Sequence, residues 1–412
     1  MTKRLIVIGG GAAGFFCAVN AAAANPNLEV IIIERSGKLL SKVRVSGGGR
    51  CNVTHGCFSI SEMIKNYPRG ANFLKKAFIH FFTTDTISWF SERGVTLKTE
   101  ADGRMFPITD SSETIIDCLV KEANKYGVKI MMNKEVKGIV NKVARESSCI
   151  TLMCADGEEM NTDLLCVACG GFSKEVQFDW IKALGHSIEP PVPSLFTFNL
   201  AGSNITELMG VSVEKVTIKI VGTRFSQQGP ILITHWGFSG PAVLKLSAFA
   251  ARELAALGYH YRIVVNWVPS FNENTMREEL TRMRIQLTGQ KIINRNPFYL
   301  PQRLWTFFLQ LSGINENTRW ADLPAKQQNL LVKNLCTHEF EVKGKTTFKE
   351  EFVTSGGVSL DEISPFTMES KLIRNLFFAG EVMNVDGITG GFNFQHAWTS
   401  GWIAAKAIGA RS

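Results

Sequence analysis

Short apolar runs alternate with glycine-rich turns at the start of the chain. Residues 5–8 form an apolar strand that leads into a run of glycines. A stretch of small residues then predicts a helix over Phe15–Ala24, and Pro26 ends it. A second apolar strand, Val30–Ile33, stops at Glu34. This strand–turn–helix–strand order is typical of a dinucleotide-binding unit.

The hydrophobic pattern changes several times further along the chain. Three prolines between 190 and 193 predict a stiff crossing into a new region, and composition shifts recur near 270 and 350. The pattern predicts mostly helix over 72–126, short strands over 128–168, β-rich structure over 195–268 around an apolar helix at 241–257, helices over 272–340, and glycine-rich turns with a strand and a long helix over 353–412.

Composition adds bounds to this picture. A chain of 412 residues with 45% hydrophobic and 20% charged residues predicts a globular protein of two or three domains. No apolar run approaches the roughly 20 residues that span a bilayer, and the N-terminus does not resemble a signal peptide, so we expect a cytoplasmic protein with no membrane partner. The nine cysteines, one pair of them spaced as Cys166-x-x-Cys169 in an apolar run, predict reduced thiols.

The formal charge of +8 raises the question of a nucleic-acid partner. The basic residues are dispersed along the sequence, without a long Lys/Arg block, so no nucleic-acid partner is expected. The spacing of cysteines and histidines predicts no metal site. The sequence leaves the oligomeric state open.

The first chemical motif is Gly9-x-Gly11-x-x-Gly14. The first glycine allows a tight turn, the second lets the backbone approach a pyrophosphate, and the third lets the helix pack on the strand. Glu34 lies at the next strand end, where a carboxylate binds ribose hydroxyls and disfavours a 2′-phosphate. The fingerprint alone fits NAD or FAD, and its position at the start of a long chain favours FAD.

Two further glycine-rich segments point to the same ligand. The first of these segments is Ser46-Gly47-Gly48-Gly49-Arg50-Cys51-Asn52. It could form a flexible surface loop, but we favour a cofactor-binding loop. At the other end, Gly390-Gly391-Phe392-Asn393 opens the last helix. Such a helix start can stabilise the negative charge of a reduced flavin, or it can be a connection capped by Asn393.

Nearly end to end, the chain resembles the bacterial family of aminoacetone-oxidase-like, NAD(P)/FAD-dependent oxidoreductases, some relatives of which are linked to reduction of 3-oxo bile-acid double bonds. The resemblance rests on Val7–Gly14, Ser46–Thr54, Asp102–Pro107, Leu184–His186, Thr234–Pro241, Thr354–Val358, Thr367–Lys371 and Ala379–Gly401. It also extends, more distantly, to the fumarate-reductase flavoproteins.

The resemblance implies an α/β fold: a discontinuous Rossmann-like FAD/NAD(P)-binding domain with inserted β-barrel-like and helical domains. The composition shifts place the FAD domain at 1–190 and 353–412, the β-rich insert at 191–270 and the helical insert at 271–352. Histidine is missing from residues 38–49, where distant relatives attach flavin covalently, so non-covalent FAD is expected. Departures from the family pattern at Met383-Asn384, Phe392 and residues 175–178 bear on the substrate more than on the cofactor.

These observations give one set of candidate residues for the cofactor and another for catalysis. The predicted cofactor-binding residues are Gly9, Gly11, Ala12, Ala13, Gly14, Glu34, Arg35, Lys42, Ser46, Gly47, Gly48, Gly49, Arg50, Cys51, Asn52, Val136, Gly170, Gly380, Glu381, Gly390, Gly391, Phe392 and Asn393. The catalytic residue is left open, with His235, Arg50, Cys51 and Arg104 as the main candidates, and His55 and His396 also considered.

The predicted function is that of an FAD-dependent oxidoreductase that transfers hydride through flavin N5. The favoured substrate is a small molecule with an activated C=C bond or a conjugated carbonyl, with NAD(P)H as a transient electron donor, since the sequence contains no second GxGxxG motif. The alternatives are an amine or aminoketone oxidase that uses O2, and a flavin-bearing protein that binds RNA or another partner. Folate-dependent tRNA methylation would need a second cofactor site, which the sequence does not reveal.

Overall fold

The computed structural model describes residues 2–143, 148–346 and 353–411, and the chain divides into two compact units. Unit 1 comprises Met1–Ser194 and Phe348–Ser412, and unit 2 comprises Leu195–Thr347. The three-domain division drawn from the sequence stays a prediction.

Helices and strands are numbered in chain order. The α-helices are α1 (Ala12–Ala24), α2 (Ser41–Gly49), α3 (Ile60–Met63), α4 (Ala71–Ala77), α5 (Thr83–Ser91), α6 (Glu113–Lys125), α7 (Asp179–Lys182), α8 (Pro241–Phe249), α9 (Ala251–Ala256), α10 (Glu273–Gln286), α11 (Gln302–Leu311), α12 (Ala325–Cys336) and α13 (Phe392–Gly409). The strands are β1 (Arg4–Ile8), β2 (Glu29–Ile33), β3 (Thr54–His55), β4 (Leu97–Thr99), β5 (Arg104–Pro107), β6 (Lys129–Met131), β7 (Val136–Val143), β8 (Ser148–Cys154), β9 (Glu159–Thr162), β10 (Leu164–Val167), β11 (Ile188–Ser194), β12 (Thr197–Asn199), β13 (Ser212–Ile220), β14 (Ser226–Ile233), β15 (Gly237–Ser239), β16 (His260–Asn266), β17 (His338–Lys343), β18 (Lys345–Thr346), β19 (Val353–Val358) and β20 (Leu376–Phe378).

A five-stranded parallel sheet with the order β20-β10-β1-β2-β6 forms the centre of unit 1. Its strands are short, continuous apolar runs, as expected where helices cover both faces of a parallel sheet. The chain leaves β1 for β2 on one side, and β10 later pairs with β1 on the other side. A crevice for a ligand forms at such a switch point, beyond the carboxyl ends of the strands. The predicted α/β class with a Rossmann-like sheet is confirmed.

Smaller antiparallel sheets surround this centre, with orders β3-β5-β4, β7-β8-β9 and β11-β19. Two of them differ from the sequence prediction. The mostly helical region 72–126 contains β4 and β5, which are too short to produce a clear alternating pattern. The prolines between 190 and 193 lie inside β11, where a bulge between Glu189 and Val192 accommodates residues that lack an amide donor.

Unit 2 is built on a seven-stranded antiparallel sheet with the order β17-β16-β13-β14-β15-β12-β18. Helices α10, α11 and α12 share one hydrophobic core with this sheet, so the β-rich segment and the helical segment bury their apolar faces together. Four fully buried side chains mark this core: Phe198, Trp267, Trp305 and Trp320.

Candidate functional site

Two glycine loops meet at the switch point of the parallel sheet in unit 1. The loop after β1 begins at Gly9 (φ +112°), and a Cβ at this position would lie 2.4 Å from Ala168 O in the loop after β10. At Gly14, a Cβ would lie 2.0 Å from Gly9 O, so only glycine allows α1 to start this close to β1. The predicted roles of these two glycines in the turn and in helix packing are therefore confirmed.

The first turn of α1 faces open space. Gly11 occupies the N-cap position without any side-chain cap, so the first backbone amides of the helix keep unused donors. A Cβ on Gly11 would have no heavy atom within 4 Å, and the same holds for Gly48, Gly49 and Gly170. An uncapped helix start beside an unfilled cradle is a natural anion site, because amide donors and the helix dipole act together there.

Glu34 follows β2, and backbone amides hold its carboxylate in place. Gly10 N donates to Oε2 at 2.8 Å, while Ser36 N and Ser36 Oγ donate to Oε1 at 2.9 and 2.8 Å. A carboxylate offers about four acceptor sites, so room remains for about one further donor. The acid therefore stands at the predicted end of the strand, already oriented by the chain.

The loop from Ser46 to Asn52 is irregular. Ser46, Gly47 and Gly48 depart from helical geometry at the end of α2, and Gly48 and Gly49 have positive φ angles of 70° and 85°. Arg50 donates to Glu100 at 2.7 Å, and its guanidinium lies 4.0 Å from the centre of the Phe106 ring. The loop is therefore anchored at Arg50 while its glycines border open space.

Cys51 does not have the reactive thiol that its neighbour Arg50 suggests. Its side chain is fully buried, and burial raises the pKa of the Cys51 thiol to about 12. Arg50 instead pairs with Glu100 and stacks on Phe106. Cys51, a catalytic candidate in the sequence, is therefore not a reactive thiol in this structure, although it is adjacent to Arg50.

The C-terminal glycine pair joins this loop. With its amide oriented to satisfy both groups, Asn52 accepts from Gly391 N at 2.9 Å and donates to Thr54 O at 3.0 Å. Trp398 Nε1, one turn and a half into α13, donates to Val53 O at 2.9 Å. The two segments, more than 300 residues apart, therefore form one structure.

Asn393 does not cap α13. Its side chain bonds Gly387 on both sides, accepting from Gly387 N at 2.8 Å and donating to Gly387 O at 2.9 Å. Gly391 is the N-cap and carries no capping side chain. The alternative of a connection capped by Asn393 is therefore wrong, and the first amides of α13 remain available as donors.

The helices α1 and α13 run side by side in the same direction. A Cβ on Gly401 would lie 2.7 Å from Ala13 O, and one on Gly409 would lie 2.8 Å from the Cβ of Ala24. Phe392 precedes Gly401 by nine residues, so α13 begins about 13 Å beyond the start of α1 at 1.5 Å per residue. Two uncapped helix starts are thus offset along one line.

A buried ion pair supports the loop before α13. Asp386 is fully buried and pairs with Arg69, and Ser194 Oγ donates to Asp386 Oδ2 at 2.9 Å. Burial raises the pKa of Asp386, although the Arg69 guanidinium acts in the opposite direction. Sequence reasoning missed Arg69 and Ser194. The acid itself had a signal, since Asp386 stands directly before a glycine in a glycine-rich segment.

Tyr67 and Gln395 also went unnoticed in the sequence. Tyr67 Oη donates to Phe392 O at 2.6 Å, and the buried Gln395 Oε1 accepts from Thr54 Oγ1 at 2.6 Å and Thr86 Oγ1 at 3.0 Å. No local pattern marks these residues, because each acts across a long sequence separation.

The remaining cofactor candidates lie around the same loops. Lys42 pairs with Glu381 at 2.6 Å, and a Cβ on Gly380 would lie 2.7 Å from that of Ala13. The Arg35 guanidinium lies 5.9 Å from the centre of the Phe172 ring, which follows Gly170. Val136 lies at the start of β7, two residues after Lys134, whose amide donates to Glu34 O at 2.9 Å.

The catalytic candidates are spread more widely. His235 is exposed and lies in unit 2, in the tight turn after β14 that the sequence predicts. Arg104 pairs with Asp102 at 2.7 Å and Glu100 at 3.0 Å. His55 is half-buried, and its ring stacks on Phe392 with centres 4.8 Å apart. Among His235, Arg104 and His55, it is therefore His55 that lies beside the first residue of α13.

His396 belongs to the core. It is buried, and burial lowers the pKa of its imidazole to about 4. Its Nε2 bonds Gly380 O at 3.1 Å, so it connects α13 with the Gly380 turn. The interpretation of His396 as a packing residue rather than a chemical one agrees with this position.

A Ser–His–Glu arrangement in unit 1 is structural. His186 Nε2 lies 3.0 Å from Ser370 Oγ, and His186 Nδ1 lies 3.0 Å from Glu362 Oε2. Ser370 Oγ also accepts from the amides of Leu372 and Ile373, at 3.0 and 2.9 Å, which holds it in a turn. An oxygen engaged by two amides in a buried turn is not a free nucleophile.

The cysteine pair is structural as well. Cys166 lies in β10, and burial raises the pKa of Cys169, just beyond the strand end, to about 12. Across the described residues no group of three or more His, Cys, Asp and Glu side chains could hold a metal ion. No helix in the same residues is long and apolar enough to cross a membrane.

Taken together, the geometry fits an adenine dinucleotide. Open space borders Gly11, Gly48, Gly49 and Gly170, an acid stands at the end of β2, and the neighbouring helices α1 and α13 both begin without a side-chain cap. A pyrophosphate fits the start of α1, a ribose fits the acid, and a ring that gains negative charge on reduction fits the start of α13.

Comparison with known proteins gives a consistent result. The family described as HI0933-like protein Rossmann domain matches residues 3–407. A ribosomal RNA dihydrouridine synthase of Escherichia coli K12 is 31% identical over 98% of this chain and 97% of its own length. A 3-dehydro-bile acid delta(4,6)-reductase of Clostridium scindens is 27% identical over 99% of this chain and 100% of its own length.

One solved structure supports the fold. The 3-ketosteroid-delta4-(5alpha)-dehydrogenase of Rhodococcus jostii RHA1 superposes with a TM-score of 0.51 at 13% identity, over 98% of this chain and 97% of that one. At this level of identity the likeness concerns the fold alone. The resemblance drawn from the sequence motifs, to a flavoprotein family with a bile-acid reductase among its relatives, is confirmed.

Proposed function

The chain belongs to the HI0933-like family of FAD-dependent oxidoreductases, and from this premise we propose that it reduces a carbon–carbon double bond conjugated to a carbonyl, with uridine in RNA as the substrate. The electron donor in this proposal is NAD(P)H. Each turnover oxidises one NAD(P)H, adds its hydride and one proton across the double bond, and leaves NAD(P)⁺.

Two relatives with different substrates share this chemistry. Dihydrouridine is uridine whose C5=C6 bond, conjugated to the C4 carbonyl, is saturated. A 3-oxo compound with double bonds at positions 4 and 6 presents the same conjugated arrangement. The printed activities of the two relatives, an RNA dihydrouridine synthase and a bile-acid delta(4,6)-reductase, therefore support one reaction class.

The residues of unit 1 bind and orient the cofactor in this proposal. FAD, when bound, supplies hydride transfer between NAD(P)H and the substrate. The amides at the start of α1 would hold the phosphates, the Glu34 carboxylate would hold the ribose, and the amides at the start of α13 would favour a reduced, negatively charged ring. Gly48 and Gly49 border open space, so their loop leaves room for a ligand to approach its backbone.

We place the proton donor at His55. This ring stacks on Phe392 beside Gly390, while its Nε2 borders Gly103, 2.7 Å from the position of a Cβ there, so proton delivery in this proposal requires the ring to turn about its side-chain bonds. An imidazole there could deliver the proton that reduction of the double bond requires. Buried Cys51, with its high pKa, and paired Arg50 and Arg104 are weaker donors.

The observation that carries the choice of uridine is the charge of unit 2. Residues 195–347 contain 17 basic and 10 acidic residues, a net charge of +7, out of +8 for the whole chain. A polyanion benefits from such a concentration of positive charge, whereas a steroid does not. The basic residues are dispersed along the linear sequence, which argues against a nucleic-acid partner. The excess of positive charge nevertheless falls almost entirely within unit 2. Ribosomal RNA as substrate also agrees with the predicted cytoplasmic location.

The second candidate is a 3-oxo steroid with conjugated double bonds, favoured by the bile-acid reductase relative, which aligns over its full length. A bile acid carries one carboxylate, so it would use far less of the positive charge of unit 2 than a polyanion would. An aminoketone oxidase that uses O2 remains the alternative outside the reductase class.

One anaerobic experiment separates these candidates. The holoenzyme is mixed with NADPH or NADH, and bleaching of the flavin band is followed by stopped flow. The reduced enzyme is then mixed with ribosomal RNA or with a 3-oxo-4,6-diene bile acid. In a separate sample, the oxidised holoenzyme is mixed anaerobically with aminoacetone and afterwards exposed to O2. We expect bleaching by a nicotinamide nucleotide and reoxidation by RNA, with digestion yielding a uridine heavier by two hydrogens.

Reoxidation by the bile acid alone would replace uridine with the steroid. Bleaching by aminoacetone but by neither nicotinamide nucleotide would overturn the reductase proposal. A His55→Gln variant should keep the bleaching by NAD(P)H but slow the reoxidation by RNA, and the loss should depend on pH. Unchanged reoxidation at every pH would remove His55 from the proposed role.

A further inference from the structure

We propose that one surface of unit 2 binds the single-stranded RNA that carries the uridine, an inference that rests on the function proposed above. The surface consists of Lys291, Arg295, Tyr299, Arg303 and Arg319, and is called the basic surface below. It lies on the loop between α10 and α11, on the first turn of α11 and on the chain segment paired with that loop.

Two of its cations are held side by side by the backbone. Lys291 and Arg319 oppose each other in an antiparallel bridge, which is closed by Ile292 N bonding Thr318 O at 3.0 Å and Trp320 N bonding Gln290 O at 3.0 Å. Directly opposed residues project from the same face, and like charges in that arrangement repel. The bridge therefore maintains an unfavourable pair of charges that an anionic ligand would relieve.

Carboxylates do not neutralise this surface within the part of the chain that the structure describes. Lys291 Nζ donates to Asn317 Oδ1 at 2.7 Å, and Arg303 donates to the backbone oxygens of Glu207 and Met209 at 2.9 and 3.3 Å. These acceptors are neutral, so the cations keep their charge. On nearby α10 the arrangement differs, because Arg277 pairs with Glu273 at 2.9 Å.

Tyr299 is exposed to solvent near the end of the loop, three residues before α11 begins. Its side chain is 95% exposed, and its backbone has a φ of +56°, a region that costs energy for a residue with a Cβ. An aromatic ring held outward in this way is a platform on which an unpaired base can stack. Neither the exposure nor the strained backbone improves the packing of unit 2.

The basic surface has a rigid base. Ile292, Leu300 and Trp305 beneath the loop are buried, and Trp305 Nε1 donates to Ile292 O at 3.1 Å. Gln302 Nε2 bonds Ile293 O at 3.0 Å across the same loop. A ligand would therefore meet a loop that is already ordered, and binding would cost little conformational entropy.

Four cations and one exposed aromatic ring on connected segments match single-stranded RNA better than other polyanions. Phosphates pair with the cations while a base stacks on Tyr299, as in proteins that bind single strands without sequence preference. A base-paired duplex offers no free base face to the ring, and an acidic protein surface needs the cations but not the ring.

The test measures RNA binding by the FAD-loaded protein across a range of salt concentrations, using fluorescence anisotropy of a labelled uridine-containing single strand. The variant K291Q/R295Q/R319Q removes three cations from the basic surface. The slope of log K against log salt should become shallower by about 2, since each phosphate contact on a single strand contributes about 0.7.

A matched control removes the same charge elsewhere. Lys215, Lys219 and Arg224 are exposed cations of unit 2 on β13 and the turn that follows it, and K215Q/K219Q/R224Q should leave the slope unchanged. Equal losses in both triple variants would overturn the proposal, because the surface would then contribute only to general charge.

A second variant isolates the ring. Tyr299→Ala should weaken RNA binding roughly tenfold, as expected for one stacked base, and should leave binding of polyglutamate unchanged. Equal loss for polyglutamate, or no loss for RNA, would overturn the proposal. FAD content and unfolding midpoint, measured on every variant, show that the fold is intact.

Failure of this inference is distinguishable from failure of the proposed function. If the wild-type protein forms dihydrouridine but the basic-surface variant binds RNA normally, the surface is wrong and the function stands. If the variant loses RNA affinity while the wild-type protein forms no dihydrouridine, the surface stands and the function is wrong.

Discussion

The two units of the molecule treat charge in opposite ways. Outside residues 195–347 the chain has 28 basic and 27 acidic residues, nearly balanced, whereas within them 17 basic residues face 10 acidic ones. In unit 1, cations such as Arg4, Lys42 and Arg50 have carboxylate partners at 2.6–2.7 Å. In unit 2, the cations of the basic surface have neutral partners or solvent.

This difference shows how one chain would hold the two anions proposed for it. At the start of α1 an anion meets backbone amides and a helix dipole, which need close approach and therefore glycine. On the basic surface an anion meets mobile side-chain charges, which tolerate many geometries but are screened by salt. The first arrangement suits one cofactor with fixed dimensions, and the second suits a long polymer.

The buried pair Arg69–Asp386 is where removing one charge should matter most. In Arg69→Met the Asp386 carboxylate, fully buried, loses its partner, and we expect unit 1 to lose about 3–5 kcal/mol of unfolding free energy. Chemical denaturation followed by circular dichroism measures this loss. The double variant R69M/D386N, which leaves no buried charge, should recover part of it. A loss below about 1 kcal/mol in R69M would mean that Asp386 is not held as a charge.

The cradle at Gly11 gives the next largest effect. Gly11→Asp places a carboxylate at the anion site, and we expect FAD affinity to fall about 100-fold, equivalent to about 2.7 kcal/mol. The fold should survive, because aspartate is a favoured N-cap and the space around Gly11 is open. Gly289→Asp, at a second open glycine in unit 2, is the matched control and should retain FAD. Retention of FAD by G11D would disprove the site.

His396 makes the stability of unit 1 depend on pH. Its pKa in the folded protein, about 4, lies below the usual value near 6.5. The unfolded chain therefore binds more protons between these values, so stability is full above pH 6.5 and is lost as pH falls towards 4. We expect the histidine to account for about 2 kcal/mol of this loss by pH 4.5. In His396→Gln the pH dependence over this window should flatten, and an unchanged slope would assign the effect elsewhere.

The smallest expected effect is the change in the free energy of unfolding of the variant K291Q/R295Q/R319Q. Each exposed, unpaired cation should contribute less than about 0.5 kcal/mol to folding, so K291Q/R295Q/R319Q should unfold at nearly the same denaturant concentration as the wild-type protein. Relief of the repulsion between Lys291 and Arg319 could even raise the midpoint slightly. A marked destabilisation would show that the cations serve the fold rather than a ligand.

Local patterns were enough to predict the local geometry around the first half of the candidate site. Gly9, Gly11, Gly14 and Glu34 act within one strand–helix–strand unit, where each residue's role follows from its position in a short motif. The parallel strands were also predictable from the sequence, because burial on both faces makes them continuous apolar runs. The long apolar helix after Gly391 was predictable for the same reason.

Contacts across long separations were not predictable. Asn52 bonds Gly391, and Arg69 bonds Asp386, over more than 300 residues, and no periodicity encodes such a pairing. The sequence also does not show that Arg50, adjacent to the candidate Cys51, turns away to Glu100 and Phe106. The charge of unit 2 was visible in composition but had no meaning until the fold grouped residues 195–347.

The division of labour between the two units is tested most directly by measuring FAD content and RNA affinity together on G11D and K291Q/R295Q/R319Q. We predict that G11D loses FAD and still binds RNA with the wild-type salt dependence, while the triple variant keeps its FAD and loses the salt-dependent part of RNA binding. Loss of both ligands in either variant, or loss of neither, would contradict the assignment of the cofactor to unit 1 and the polyanion to unit 2.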